Sequence, residues 1–145
     1  SDGQVIIGSG SGSPLAATLT AGTGISISNG SNSITISSSG GGFTWSDQSG
    51  SFTAASNNGY FITGASTPTL PAAPSLGDNV VFIIDTASTC TVTANTGQTI
   101  RLGAATSSVT GTAANNARGD SITLIYRTTG SVWIAQEMIG TWTTA

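Results

Sequence analysis

The sequence predicts an all-β protein: a short N-terminal β-hairpin or shaft segment, then an antiparallel, jelly-roll-like β-sandwich knob. Three observations lead there. Thr is the commonest residue at 24, and Ile outnumbers Leu by 14 to 6. β-branched side chains suit a pleated sheet and lose χ1 freedom in a helix. Short alternating apolar runs recur between Gly-, Asn- and Pro-rich turns, a spacing typical of sandwiches and barrels. No window carries a 3.6-residue apolar stripe of helical length.

Residues 1–39 contain no aromatic side chain and one charge, Asp2. Gly24–Ser28 and Ser33–Ser37 alternate Ile with Ser or Thr around Asn29-Gly30-Ser31-Asn32, which reads as a hairpin. Its apolar face would hold Ile25, Ile27, Ile34 and Ile36, with nothing local to cover them. An isolated two-stranded hairpin is marginal in water, so these four are the expected assembly residues, meeting the same hairpin in other copies. Residues 1–39 are thus a β shaft or assembly segment, and 40–42 a Gly hinge.

Residues 43–145 hold every aromatic residue and form the expected knob. Strands are expected at 43–45, 51–54, 60–63, 79–84, 90–94, 99–102, 121–126 and 132–138. Gly77–Ile84 and Gly119–Tyr126 share one pattern, Gly-Asp and then a mostly apolar run, and read as two related hairpins. Asp78 and Asp120 would bond turn amides where those strands begin.

Composition removes several functions. There is no His and no Lys, one Cys, and three Arg against six acids. Zinc sites and His- or Cys-His-based catalysis have no parts to use, so no metal and no cofactor are expected. A net charge of −3 without Lys argues against nucleic acid. No run of 18 apolar residues occurs, so no membrane insertion by a helix is expected. The start, Ser1-Asp2-Gly3, has no secretory signal pattern. Cys90 reads as a small buried hydrophobe.

The sharper motifs resolve into ordinary ones. Arg118-Gly119-Asp120 spells an integrin-binding tripeptide but also forms the turn into a strong strand. Gly8-Ser9-Gly10-Ser11-Gly12 lacks the Lys and helix of a phosphate loop and reads as linker. Glycoside cleavage needs two carboxyl groups flanking one bond. Asp47, Asp78, Asp85, Asp120 and Glu137 form no such motif, and Glu137 reads as an exposed acid or a partner for Arg127. Trp45, Tyr60, Trp133 and Trp142 could stack on sugar rings or serve as core and inter-subunit packing. Asn57 and Asn58 beside Tyr60, with Trp133, are the expected ligand-binding set.

Gly8 to Ser37, with Pro14 to Ile25 running into the Ile-Ser/Ile-Thr hairpin, resembles linker and shaft segments of phage tail fibres. Gly119 to Tyr126, Trp133 and Gly140-Thr141-Trp142 resemble the C-terminal tip domains of such fibres. The resemblance implies a trimeric, fibrous, host-recognising protein on a virion or otherwise outside the cell. The expected partners are two further copies of the chain and a host glycan or protein receptor, with no catalysis. A filament subunit assembled by strand exchange is the alternative, and a polysaccharide-cleaving fibre enzyme the third reading. Composition fits a trimer independently, since small apolar surfaces from three chains can form one core.

Overall fold

A computed structural model of the chain describes residues 4–8, 10, 12–22, 24–38 and 42–145. Asp2, Ser9 and Ser11 of the Gly-Ser run, and Gly40 and Gly41 of the expected hinge lie outside the described residues. The described chain is all-β, as its composition implies, and divides into two compact units, Ser1–Gly42 and Phe43–Ala145.

The first unit holds two hairpins. β1 (Gln4–Ile7) pairs antiparallel with β2 (Leu15–Thr18), two strands for which the sequence carried no expectation. Leu15-Ala16-Ala17 has little β propensity, and Val5-Ile6-Ile7 does not alternate. β3 (Ile25–Gly30) and β4 (Ser33–Ser38) form the expected hairpin, turning through Ser31 and Asn32, the latter at φ 57°. Its register sets Ile27 opposite Ile36, Asn29 opposite Ile34 and Ile25 opposite Ser38. Opposite residues share a face, so all four isoleucines lie on one side. Ile25 and Ile36 keep 42% and 59% of their surface in solvent.

The second unit runs β5 (Thr44–Thr53), β6 (Asn58–Thr69), β7 (Asn79–Ile84), β8 (Cys90–Thr93), β9 (Thr99–Leu102), β10 (Ala105–Thr106), β11 (Thr112–Asn115), β12 (Ser121–Arg127), β13 (Val132–Ile139) and β14 (Thr143–Thr144). Strand β6 organises it. Its first half pairs with β7, Asn58 to Val80 through Ile62 to Ile84. Its second half pairs with β8, at Ser66 to Cys90 and Thr69 to Thr93. From β7 one arm continues through β12, β13, β9 and β10, and from β8 another through β11 and β14. Both arms turn one face inward on a shared core: Ile62, Val80, Phe82, Ile122, Leu124 and Trp133 meet Leu70, Cys90, Val92 and Ala113. Strands that pass from one layer to the other at a bend make the corner of a sandwich. Strand β5 bends alongside, its register shifting between Gln48 and Gly50, where Gly50 takes φ 72°.

The pairing is mixed, not purely antiparallel as expected. β5–β6, β6–β7, β6–β8 and β9–β13 are all parallel. The expected strands 43–45 and 51–54 are one bent strand, β5, and 60–63 extends through Gly64 to Thr69.

The repeated pattern folds into a local pseudo-twofold. β7 and β12 pair antiparallel. The Gly77 N–H donates to Tyr126 O at 3.0 Å and the Gly119 N–H to Ile84 O at 2.8 Å. Tyr126 N–H returns to Asp78 O at 2.8 Å, and Ile84 N–H to Asp120 O at 2.9 Å. Both glycines sit near φ 89° and 88°, where a side chain would be strained. Only the second unit of the repeat is a hairpin, β12–β13. After Asp85–Thr89 the first continues as β8 along β6.

Candidate functional site

Strand alternation leaves β7 apolar on both sides. In β7, Val80, Phe82 and Ile84 point into the core while Val81 and Ile83 point outward, half-buried. A strand apolar on both faces is usually covered on both. The pairings extend this outer face across five strands. Trp45 lies beside Gly59, Gly59 beside Val81 and Val81 beside Thr123. Phe61 lies beside Ile83, and Ile125 beside Ile134.

Aromatic rings occupy the β5 edge of this face. Trp45 stacks on Phe61 with centroids 4.9 Å apart, and Phe43 meets Trp45 edge-on at 5.4 Å. The Trp45 ring covers Gly59, where an added Cβ would stand 2.5 Å from ring atom Cε3. Glycine here lets the indole lie on the neighbouring backbone, an aromatic cover for a strand glycine. Even so, Trp45 stays 46% and Phe61 36% exposed. At the far side an apolar groove of about 360 Å³ lies against Leu76, Ile125, Ile134 and Gln136, with Arg127 on its wall.

A second, polar cleft of about 280 Å³ lies on the other arm. Thr89, Ala114, Asn115, Asn116, Thr141 and Thr143 line it. Asn115 is committed to structure: its amide donates to Asp120 Oδ2 at 2.7 Å, and its carbonyl accepts the N–H of Asn116 and of Ala117. Asn116, Thr89 and Thr141 present exposed hydroxyl and amide groups.

The expected ligand-binding set is not brought together at the surface. Tyr60 is buried between Phe52 and Phe82, and its hydroxyl accepts the Ala55 N–H at 2.7 Å. Trp133 is wholly buried against Tyr126 and donates Nε1–H to Gln98 Oε1 at 2.9 Å. Neither ring offers a face to a sugar. Asn57, at φ 61°, donates to Asp78 Oδ1 at 3.4 Å and accepts the Asn79 N–H at 3.2 Å. Asn58 accepts the Thr44 hydroxyl at 2.9 Å. Both amides hold the turn into β6. The aromatic surface consists instead of Phe43, Trp45 and Phe61. Its signal in the sequence was the alternation Gly59-Tyr60-Phe61, which must send Tyr60 and Phe61 to opposite faces.

The carboxylates are spread apart. Asp120 belongs to the Asn115 bond and sits under Gly140, where no side chain would fit beside it, so the 118–120 tripeptide does not present its acid freely. Glu137 is exposed opposite Thr123, not Arg127. Asp78 accepts the Ser75 N–H at 2.9 Å, the turn bond expected of it. Burial works to raise its pKa, but hydrogen bonds from the Ser56 hydroxyl, the Ser75 N–H and the Asn57 amide outweigh it and hold the carboxyl below its ordinary value. The ionised form therefore stabilises the fold above the unfolded pKa of about 3.9, and this contribution is lost as pH falls through the lower folded value. Asp78→Asn is expected to flatten the dependence of melting temperature on pH below about 4. Equal slopes for the two proteins would contradict that role. Cys90 is buried, and burial pushes its thiol up to about 12, so it is no nucleophile at neutral pH.

No family model matches the chain, and no curated protein matches it significantly.

Proposed function

We propose that this chain is the tip of a viral or phage-like tail fibre, which attaches as a homotrimer, without catalysis, to a host cell surface through its glycans. The observation that carries the reading is how the surface is divided. Bare isoleucines line one face of the β3–β4 hairpin, while the cleft between Thr89 and Thr143 offers hydroxyl and amide groups. Apolar faces suit association of like chains, and uncharged donors and acceptors suit sugar hydroxyls. Low charge keeps the association insensitive to salt and pH. Weak single sites suffice, since linked copies gain ~10²–10⁴ in avidity.

A second reading, a filament subunit joined by strand exchange, has one observation in its favour. β5 is ten residues long, pairs on one side only among the described residues, and carries no Lys or Pro to guard its edge.

Incubation with polysaccharide from a susceptible host tests the proposal and the enzymatic reading together. The protein is expected to be retained on polymer of unchanged length. Asn116→Ala with Thr141→Ala should weaken retention on the order of tenfold, as lost hydrogen bonds imply. Progressive shortening that stops with Glu137→Gln or Asp120→Asn would show a cleaving enzyme instead.

A further inference from the structure

The outer face of the β7–β12–β13 arm has features of a contact between unlike patches. Its two sides differ. The β5 side is an exposed aromatic cluster, Phe43, Trp45 and Phe61. The β13 side is a recessed apolar groove between Leu76, Ile125 and Ile134. A knob on β5 and β6 and a groove on β12 and β13 open on the same face of the sheet, with β7 between them, and cannot fill each other within one chain.

Net charge follows the same division. On this face Asp47 is paired with Phe61, at the aromatic side. Arg127 lines the groove, and Arg101 lies opposite Ile134. The whole chain has nine ionisable side chains of Asp, Glu and Arg type. Glu137 of β13, opposite Thr123, shares this face, so its β13 side carries two arginines and one acid against the single acid Asp47 on the β5 side. Neither Asp47 nor Arg127 has an ion-pair partner among the described residues.

Resting on the homotrimer reading, we infer that the occupant of this face is a second copy of the same chain, docked head to tail: the Phe43–Trp45–Phe61 cluster of one copy seats in the Leu76–Ile125–Ile134 groove of the next, and Asp47 of the first meets Arg127 of the second. Such heterologous contacts close into a ring when the rotation allows it. Three copies then cover the apolar outer face of every β7. The Gly59 position gains a purpose, since a side chain there would tilt the indole off the sheet and misshape the knob. The arrangement also leaves the polar cleft at Thr89 and Thr141 outside the contact, because none of its lining residues belongs to this face.

Site-directed crosslinking in the full chain tests this contact. Asp47→Cys, Arg127→Cys and the double variant are each treated with a short bis-maleimide and run on a denaturing gel. Cys90 is shielded by burial, and the unaltered chain is the control. The double variant is expected to give covalent species up to a trimer, while each single variant gives none. Dimers from a single variant would mean that like patches meet, and would overturn the head-to-tail contact. A ladder continuing past three would overturn closure and favour an open filament. No crosslink in a chain whose solution mass is that of an oligomer would reject this interface while leaving the homo-oligomer standing. If Trp45→Ser then abolished polysaccharide retention, the aromatic cluster would be a sugar platform. A solution mass of one chain would reject the homotrimer itself.

Discussion

Replacing Trp133 by Ala is expected to lower the melting temperature of the second unit by roughly 15–40 °C, or to leave it unfolded. Truncating a buried Trp costs ~3–5 kcal/mol, and for a domain near 100 residues each kcal/mol is worth about 4–8 °C. The ring is wholly buried, stacked at 5.2 Å on Tyr126, and its N–H ends a chain of bonds. Gln98 accepts that N–H and donates its own amide to Pro71 O at 2.9 Å. Trp133 thereby ties the crossing after β6 to the far arm of the sheet. Losing the indole also removes a buried hydrogen bond, leaving Gln98 Oε1 with the longer, 3.3 Å bond from the Asn95 N–H, a further ~0.5–1.5 kcal/mol. Trp133→Phe, which keeps a ring and removes the donor, isolates that second contribution. Thermal unfolding followed by near-ultraviolet circular dichroism measures both. A shift under 5 °C for the Ala variant would contradict the placement of this ring in the core.

The second large effect belongs to the first unit. With Ile25, Ile27, Ile34 and Ile36 all changed to Ser, association through residues 4–38 is expected to disappear. Covering an Ile contributes ~1.5–3 kcal/mol. The lower figure applies, because the hairpin already shields part of each side chain. Four such residues in every chain then correspond to a rise on the order of 10⁴-fold in the concentration at which copies separate. Sedimentation across a dilution series measures it. A variant dissociating at the same concentration as the parent would remove the isoleucine face from the assembly.

The all-β class and the β3–β4 hairpin were legible because both rest on period-2 alternation and β-branched residues. So was the kinship of residues 77–84 and 119–126, which proved to be antiparallel neighbours related by matching bonds. Strand direction was not legible. Alternation does not specify whether a neighbour runs parallel, and residues 70–78 carry β6 to β7 without the helix that usually marks such a crossover. β11 and β14 escaped notice because Thr112-Ala113-Ala114-Asn115 and Thr143-Thr144 are too short or too alanine-rich to stand out. The candidate site failed for a related reason. Alternation divides Tyr60 from Phe61 but does not say which faces inward. The choice rests on partners distant in sequence: the Tyr60 hydroxyl finds the Ala55 N–H and its ring finds Phe82. A purely apolar Phe61 is left outside under Trp45. The apolar run Val80 to Ile84 held a usable hint, because a strand apolar on both faces calls for a second cover.

Light scattering coupled to size separation, over a wide range of concentrations, tests the trimeric reading most directly. The expected result is a closed particle of three times the 14.3 kDa chain mass, unchanged on dilution and in high salt. A particle of 14.3 kDa at every concentration, or a mass that climbs without limit as concentration rises, would contradict it.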